Sequence, residues 1–166
     1  MATTLKPGDI APAFALTDQD GKVHRLQDYK GKNIVLYFYP RDETPGCTTE
    51  ACQFRDEHST LQAMGAVVLG VSRDDAESHQ KFREHHDIPF PLLVDTDAAV
   101  ATAYGAWGER EIQGNKAMGM IRSTFLIGPW GKLREVWPAV RADGHAEQVR
   151  RTLEAVEVQD SFSHAE

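Results

Sequence analysis

The sequence predicts an α/β domain with a mixed central β-sheet flanked by helices. Three observations lead there. Asn33 to Tyr39 is a short apolar run rich in β-branched and aromatic residues, the pattern of a strand buried on both faces. Shorter runs of the same character recur along the chain. Helical stretches separate most of them, which is the alternation of a layered α/β fold.

Taken in order, Phe14 to Leu26 reads as an N-terminal hairpin around the turn Asp18-Gln19-Asp20-Gly21. The core strand from Asn33 leads into a helix from Thr48 to Met64. A strand at Val67 to Val71, a helix at Asp75 to His86, a strand at Leu92 to Val94 and a helix at Ala98 to Tyr104 follow. Thr124 to Ile127 and Leu133 to Trp137 are the last two strands, joined by the tight Pro129-Trp130-Gly131 connection. A final helix covers His145 to Val156. No repeat, low-complexity tract or Gly/Ser/Pro linker interrupts the series, so residues 1–158 read as one domain and Gln159 to Glu166 as a polar tail that frays.

Length and charge narrow the function. At 166 residues, 41% hydrophobic and 26% charged, the chain is one ordinary globular domain. Such a domain buries roughly 70% of its unfolded surface and needs no disulfide or metal staple. A net charge of −7 argues against nucleic acid or an anionic membrane as partner, since both require a basic footprint. No apolar run approaches the roughly 18 residues of a membrane span, and MATTLKPGDIAPAFAL shows no signal-peptide pattern. The expected compartment is the cytoplasm.

The two cysteines, Cys47 and Cys52, are the most informative residues. A stapled secreted fold carries more, spread along the chain, and no second Cys or His pair at finger spacing completes a zinc site. Cys47 follows a Pro/Gly turn (Pro40, Pro45, Gly46) and opens a helix at the C-terminal end of the core strand, where α/β folds present their chemistry. Free N–H groups and the positive end of a helix favour a thiolate there. Five residues along an ideal helix separate the Cα atoms by ~8.7 Å, against ~4.4–6.8 Å in disulfides. The pair therefore closes only if the helix unwinds, which suits a peroxide-reducing cycle better than a rigid dithiol exchanger. Cys47 is in phase with Ala51, Phe54, His58 and Leu61, the inward face.

The segment Pro40-x-x-x-Thr44-x-x-Cys47 resembles the active-site signature of the peroxiredoxins. The longer string FYPRDETPGCTTEAC resembles the bacterioferritin comigratory protein, or peroxiredoxin Q, subfamily. The likeness continues through Leu69-Gly70-Val71-Ser72, Ser78-His79-Gln80-Lys81-Phe82, Ala103 to Gly108, Arg122 to Ile127 and Gly144 to Glu147. It implies a thioredoxin-like fold and thiol-dependent reduction of hydrogen peroxide and organic hydroperoxides. In that reading Cys47 attacks the peroxide and Cys52 resolves the resulting sulfenic acid. Thr44 and Arg122 bind and polarise the peroxide, Pro40 shields the sulfenate, and Glu50 helps hold the arginine. Thioredoxin or a similar donor restores the thiols, and no metal, haem or flavin is implied. A resolving cysteine on the same helix removes the need for a partner subunit, so a monomer is expected.

On the residues alone, plainer roles stand beside these. Both cysteines are then small buried hydrophobes, Thr44 caps the helix, Pro40 ends the strand, and Arg122 is a surface charge. Tyr104, Trp107, Met118 and Met120 either line an apolar collar or pack in the core, the latter being the commoner use, and Glu109 and Glu111 are solvated. The competing functions are a dithiol–disulfide oxidoreductase and a non-catalytic redox sensor.

Overall fold

A computed structural model of the chain describes residues 3–164. Its centre is a five-stranded mixed sheet in the order β5-β4-β3-β8-β9. Strand β3 (Asn33–Phe38) is the middle one. It pairs in parallel with β4 (Ala66–Ser72), which pairs in parallel with β5 (Leu92–Val94). On its other side β3 pairs antiparallel with β8 (Ser123–Ile127), and β8 with β9 (Leu133–Trp137). The N-terminal hairpin is present as β1 (Ala15–Thr17) and β2 (Val23–Arg25), followed by a 3₁₀ turn at Leu26–Tyr29.

Both faces of the sheet are covered, which is why β3 is apolar at every position. Val35 and Tyr37 enter a cluster with Phe54, Leu61, Val149 and Leu153, from helices α1 (Pro45–Ala63) and α4 (His145–His164). Ile34, Leu36 and Phe38 face the other way, against Phe125, Tyr104 and Ala101, the last two from helix α3 (Ala99–Tyr104). Helix α2 (Ala76–His86) adds Phe82 to the first cluster, and Asp75 caps it by accepting from Ser78 N. The period of two along β3 thus fills two cores at once.

Two differences from the sequence reading have physical causes. A hairpin of β6 (Trp107–Ile112) and β7 (Asn115–Met120) was not expected. Its strands are poor in β-branched residues, and its turn places Gln113 and Gly114 both at positive φ, a geometry usually announced by Asn-Gly. The last helix runs past Val156 to His164, so the segment read as a fraying tail continues it. Asp160 receives both Arg134 Nη2 contacts at 2.8 Å, tying this polar turn to the β9 edge, and Ala165 and Glu166 lie outside the described residues. The core-facing series Ala146, Val149, Leu153 and Val156 is followed at the same spacing by Asp160 and Ser163, so the apolar period of that face did not carry the helix further.

Gly70 on β4 shapes the wall behind the site. A Cβ there would lie 2.9 Å from Leu92 Cδ2 and 3.0 Å from both Cζ and the hydroxyl of Tyr37, whose ring stacks on Phe54 of α1 at 4.7 Å. Gly70→Ala is expected to destabilise the protein by about 1–3 kcal/mol through overpacking, read as a lower denaturant midpoint at unchanged m value.

Candidate active site

The chain leaves β3 through a loop whose backbone is bent at Glu43, with φ at +66°. Thr44 is the N-cap residue of α1, Pro45 the first helical residue, and Cys47 the third. Thr44 accepts the first helical bond through its carbonyl, from Thr48 N at 2.9 Å, while its hydroxyl donates to Arg41 O at 2.9 Å instead of capping the helix. The side-chain capping role is therefore absent. The N–H groups of Gly46 and Cys47 precede that first helical bond and lie at the positive end of the helix.

Cys47 is 1% exposed and is a free thiol, as is the half-buried Cys52. Arg122, between β7 and β8, turns inward onto this helix start. Its Nη2 donates to Cys47 Sγ at 3.3 Å and its Nη1 to Glu50 Oε1 at 2.6 Å. The surface-charge reading of Arg122 is thereby overruled. Gly46 leaves the room: a Cβ on it would stand 3.1 Å from Arg122 Nη2. Glu50, one helical turn after Cys47, is completely buried, and its Oε2 has no hydrogen-bond partner among the described residues.

The electrostatics follow from burial. Desolvation pushes the Glu50 carboxyl up to about 7, and the contact with Arg122 only partly opposes this. Burial works against the charge of Arg122, but Glu50 and the Cys47 sulfur outweigh it and hold the guanidinium above its ordinary value. Beneath them the Tyr37 hydroxyl is raised well above its usual range, by burial first and then by Glu50 and Cys47, so it remains an uncharged group. One permanent cation thus faces one sulfur and one carboxyl that burial biases toward its neutral form.

Pro40 is half-buried and lines an open cavity of about 420 Å³ with Trp107, Met118, Met120, Arg73 and Arg110. The guanidinium of Arg73 lies 4.9 Å over the Trp107 ring. Of the four residues weighed as a collar, Tyr104 is core, its hydroxyl bonded to Pro12 O at 2.6 Å. Met120 is buried yet reaches the cavity wall, whereas Met118 is 61% exposed beside it. Glu109 and Glu111 are exposed, Glu109 at 3.8 Å from Lys116.

Three contributors were not singled out by sequence. Gln53, next to Cys52, donates to Asp143 Oδ1 at 2.6 Å and accepts from Gly144 N at 2.8 Å, clipping the loop before α4 onto α1. His145 donates or accepts at Thr124 Oγ1 over 2.7 Å, and burial lowers its affinity for a proton. Asp42, in the middle of the active-site loop, meets His79 of α2 at 2.7 Å in the interior. Asp42 lies within the FYPRDETPGCTTEAC string, and the Gly144-His145 and Ser78-His79 strings hold the histidines, so the family likeness spans all but Gln53, but nothing local marks any of them as part of the site.

Comparison with known proteins agrees with this arrangement. The AhpC/TSA family model matches residues 7–136. Peroxiredoxin Bcp of Bacillus subtilis is 47% identical over 150 residues, covering 90% of this chain and 96% of that protein. Peroxiredoxin Bcp of Escherichia coli is 41% identical over 149 residues, with 90% and 96% covered. Among solved structures, Xanthomonas campestris peroxiredoxin Q superposes with a TM-score of 0.82 at 38% identity over 87% of this chain and 91% of that one. Peroxidoxin BcpB of Mycobacterium tuberculosis gives 0.80 at 36% identity, over 92% and 98%. With the thioredoxin-like fold, the cysteine-bearing helix start and this degree of identity in hand, the chain belongs to the AhpC/TSA family, within its Bcp/peroxiredoxin Q branch.

Proposed function

We propose that this peroxiredoxin reduces hydrogen peroxide and small organic hydroperoxides, with Cys47 as the attacking thiol and Cys52 as the resolving one. The observation that carries the assignment is the guanidinium of Arg122, 3.3 Å from Cys47 Sγ and anchored at 2.6 Å on Glu50. It stabilises the thiolate before attack and the oxygen charge that develops during it.

The sulfur attacks one peroxide oxygen and the O–O bond breaks. Its electron pair leaves on the second oxygen, which takes a proton and departs as water or an alcohol, and Cys47 becomes a sulfenic acid. Thr44 and the free N–H groups at the start of α1 orient the peroxide, and Pro40 screens the oxidised sulfur from water. The apolar side of the Pro40 cavity, built by Trp107, Met118 and Met120, accommodates an organic substituent. Cys52 then attacks the sulfenic sulfur, the S–O bond breaks, water leaves and a disulfide forms. A dithiol donor of the thioredoxin type reduces that disulfide and is itself oxidised. The chain acts as a single domain that takes in α4 through His164, and as a monomer, since the attacking and resolving cysteines share one helix; the compartment in keeping with the sequence is the cytoplasm. Among the described residues no helix is long and apolar enough to cross a membrane.

Arg122→Ala is expected to lower kcat/KM for peroxide by at least ~10²-fold, the scale of losing one well-aimed donor. It also strands a buried carboxyl, so Arg122→Ala/Glu50→Gln should recover stability and not activity. A double variant of near-normal activity would return Arg122 to a structural role.

Cys52→Ser is expected to consume about one equivalent of peroxide, accumulate a trappable sulfenic acid, and stall with thioredoxin and its NADPH-coupled reductase, while Cys47→Ser consumes none. Oxidised wild type should exchange the amides from Cys47 to Phe54 faster than the reduced protein, because the ~8.7 Å spacing must collapse to ~5.5–6 Å. Absence of the intramolecular disulfide by mass spectrometry would replace this scheme with a one-cysteine cycle. Insulin reduction without peroxide would favour a dithiol exchanger.

Glu50 makes stability depend on pH. Its carboxyl is raised from an ordinary 4.5 to about 7 in the fold, so the folded state holds the extra proton between these values. Its share of stability is full below pH 4.5 and is lost as pH rises through 7. Glu50→Gln should flatten the fall in stability from pH 5 to 8, by at most about 3 kcal/mol, measured by denaturant titration at each pH.

A further inference from the structure

We propose that Asp42 and His79 form a buried hydrogen-bonded pair that positions the peroxide-binding loop. The inference rests on the peroxidase reading above, and the pair acts through Thr44 and Cys47 without touching substrate. Between Pro40 and Gly46 the side chain of Asp42 is the one that is buried, all the others being exposed or partly so. Its carboxylate accepts from the Tyr39 hydroxyl at 2.6 Å, from Ser78 Oγ at 2.8 Å and from His79 Nδ1 at 2.7 Å. Its backbone N–H donates to Asp74 Oδ2 at 2.9 Å, an oxygen that also accepts from Ser72 Oγ at 2.6 Å. A single loop residue is thereby tied to β3, to the end of β4 and to the first turns of α2.

His79 has no exposed surface, and its Nε2 lies 2.9 Å from Leu93 O of β5. Its Nδ1 lies 2.7 Å from Asp42 Oδ2, with the Tyr39 hydroxyl, itself bonded to Asp42 Oδ1, at 3.5 Å. Hydrogen bonds from Tyr39, Ser78 and His79 converge on the Asp42 carboxyl, and each ring nitrogen of His79 has an oxygen within reach, so the buried polar atoms of the pair are all satisfied.

The loop needs such an anchor. The next residue, Glu43, is a non-glycine held at φ +66°, and its side chain reaches His85 Nδ1 at 3.0 Å and His86 Nε2 at 3.7 Å at the far end of α2. Thr44 and the Cys47 helix start follow directly, so the placement of Asp42 sets where the peroxide-facing hydroxyl and N–H groups stand. Reactions of this type are sensitive to displacements of about 1 Å in groups that orient the substrate.

The experiment compares wild type, Asp42→Ala/His79→Leu and Tyr39→Phe, each carrying Cys52→Ser. Three quantities are read: the melting temperature, the second-order rate of Cys47 oxidation by hydrogen peroxide, and the rate of Cys47 alkylation by iodoacetamide, a neutral reagent that needs no peroxide-orienting groups. The double variant removes both partners and is expected to stay folded at a lowered melting temperature, to lose at least ~10-fold in peroxide rate and to lose less than ~3-fold in alkylation. Tyr39→Phe, which keeps the Asp42–His79 contact and drops one donor, should lose ~3-fold or more in peroxide rate alone. A folded double variant with the wild-type peroxide rate, or equal losses in both reactions, overturns the proposal. If the double variant does not fold, Tyr39→Phe decides alone, an unchanged peroxide rate counting against the proposal. Wild type without any peroxide reactivity would instead overturn the peroxidase reading.

Discussion

The guanidinium of Arg122 bridges the sulfur of Cys47 and the carboxyl of Glu50, and much of the surrounding architecture exists to house that one cation. Gly46 vacates the volume it occupies, Glu50 is kept dry to anchor it, and the antiparallel pairing of β8 with β3 delivers it. A cation that cannot lose its proton is the stable partner for a thiolate in a site this buried. The same burial limits how completely the anchor neutralises it. Burial raises the Glu50 carboxyl to about 7 against the pull of Arg122, so the anchor resists ionising even in contact with the cation.

Helix α1 has two unequal halves. From Phe54 to Leu61 it is fixed by large apolar side chains in the core shared with β3 and α4. Before Phe54 the buried residues are the small Cys47 and Ala51 together with Glu50, and the clip from Gln53 to the loop before α4 is made of two exposed hydrogen bonds. Little apolar surface is lost if the first turns come undone, and the Phe54 ring stays as a stop. In the proposed cycle such a division would let one helix hold the Cys47 site rigid when reduced and release the two cysteines toward each other after oxidation.

The loop that precedes the helix has the opposite character. It has no regular backbone ladder, and its order comes from side chains, chiefly Asp42 inside and Glu43 outside, both directed at histidines of α2. Held on one side of Cys47 and lightly packed on the other, the segment would, in the proposed cycle, keep substrate placement apart from disulfide formation.

The amino-acid sequence by itself determined the strands and helices whose patterns are local. The double-faced apolar run of β3, the Pro/Gly turn into α1 and the five-residue cysteine spacing were all legible, because periods of 2 and 3.6 and turn chemistry act over a few residues. What escaped it had no local signature. The β6–β7 hairpin lacks β-branched strands and a standard turn pair, and the last turns of α4 are held by Arg134 rather than by an apolar stripe. Only the tertiary structure decided the site's electrostatics. Arg122 is 75 residues from Cys47 along the chain, and Asp42 is 37 from His79. Read alone, each is an ordinary polar residue. Pairing Ser123 with Phe38 sets Arg122 beside the loop, and packing α2 on the sheet sets His79 beneath it. Burial then turns those contacts into chemistry, since a charge held in the interior must find a partner that a charge at the surface does not need.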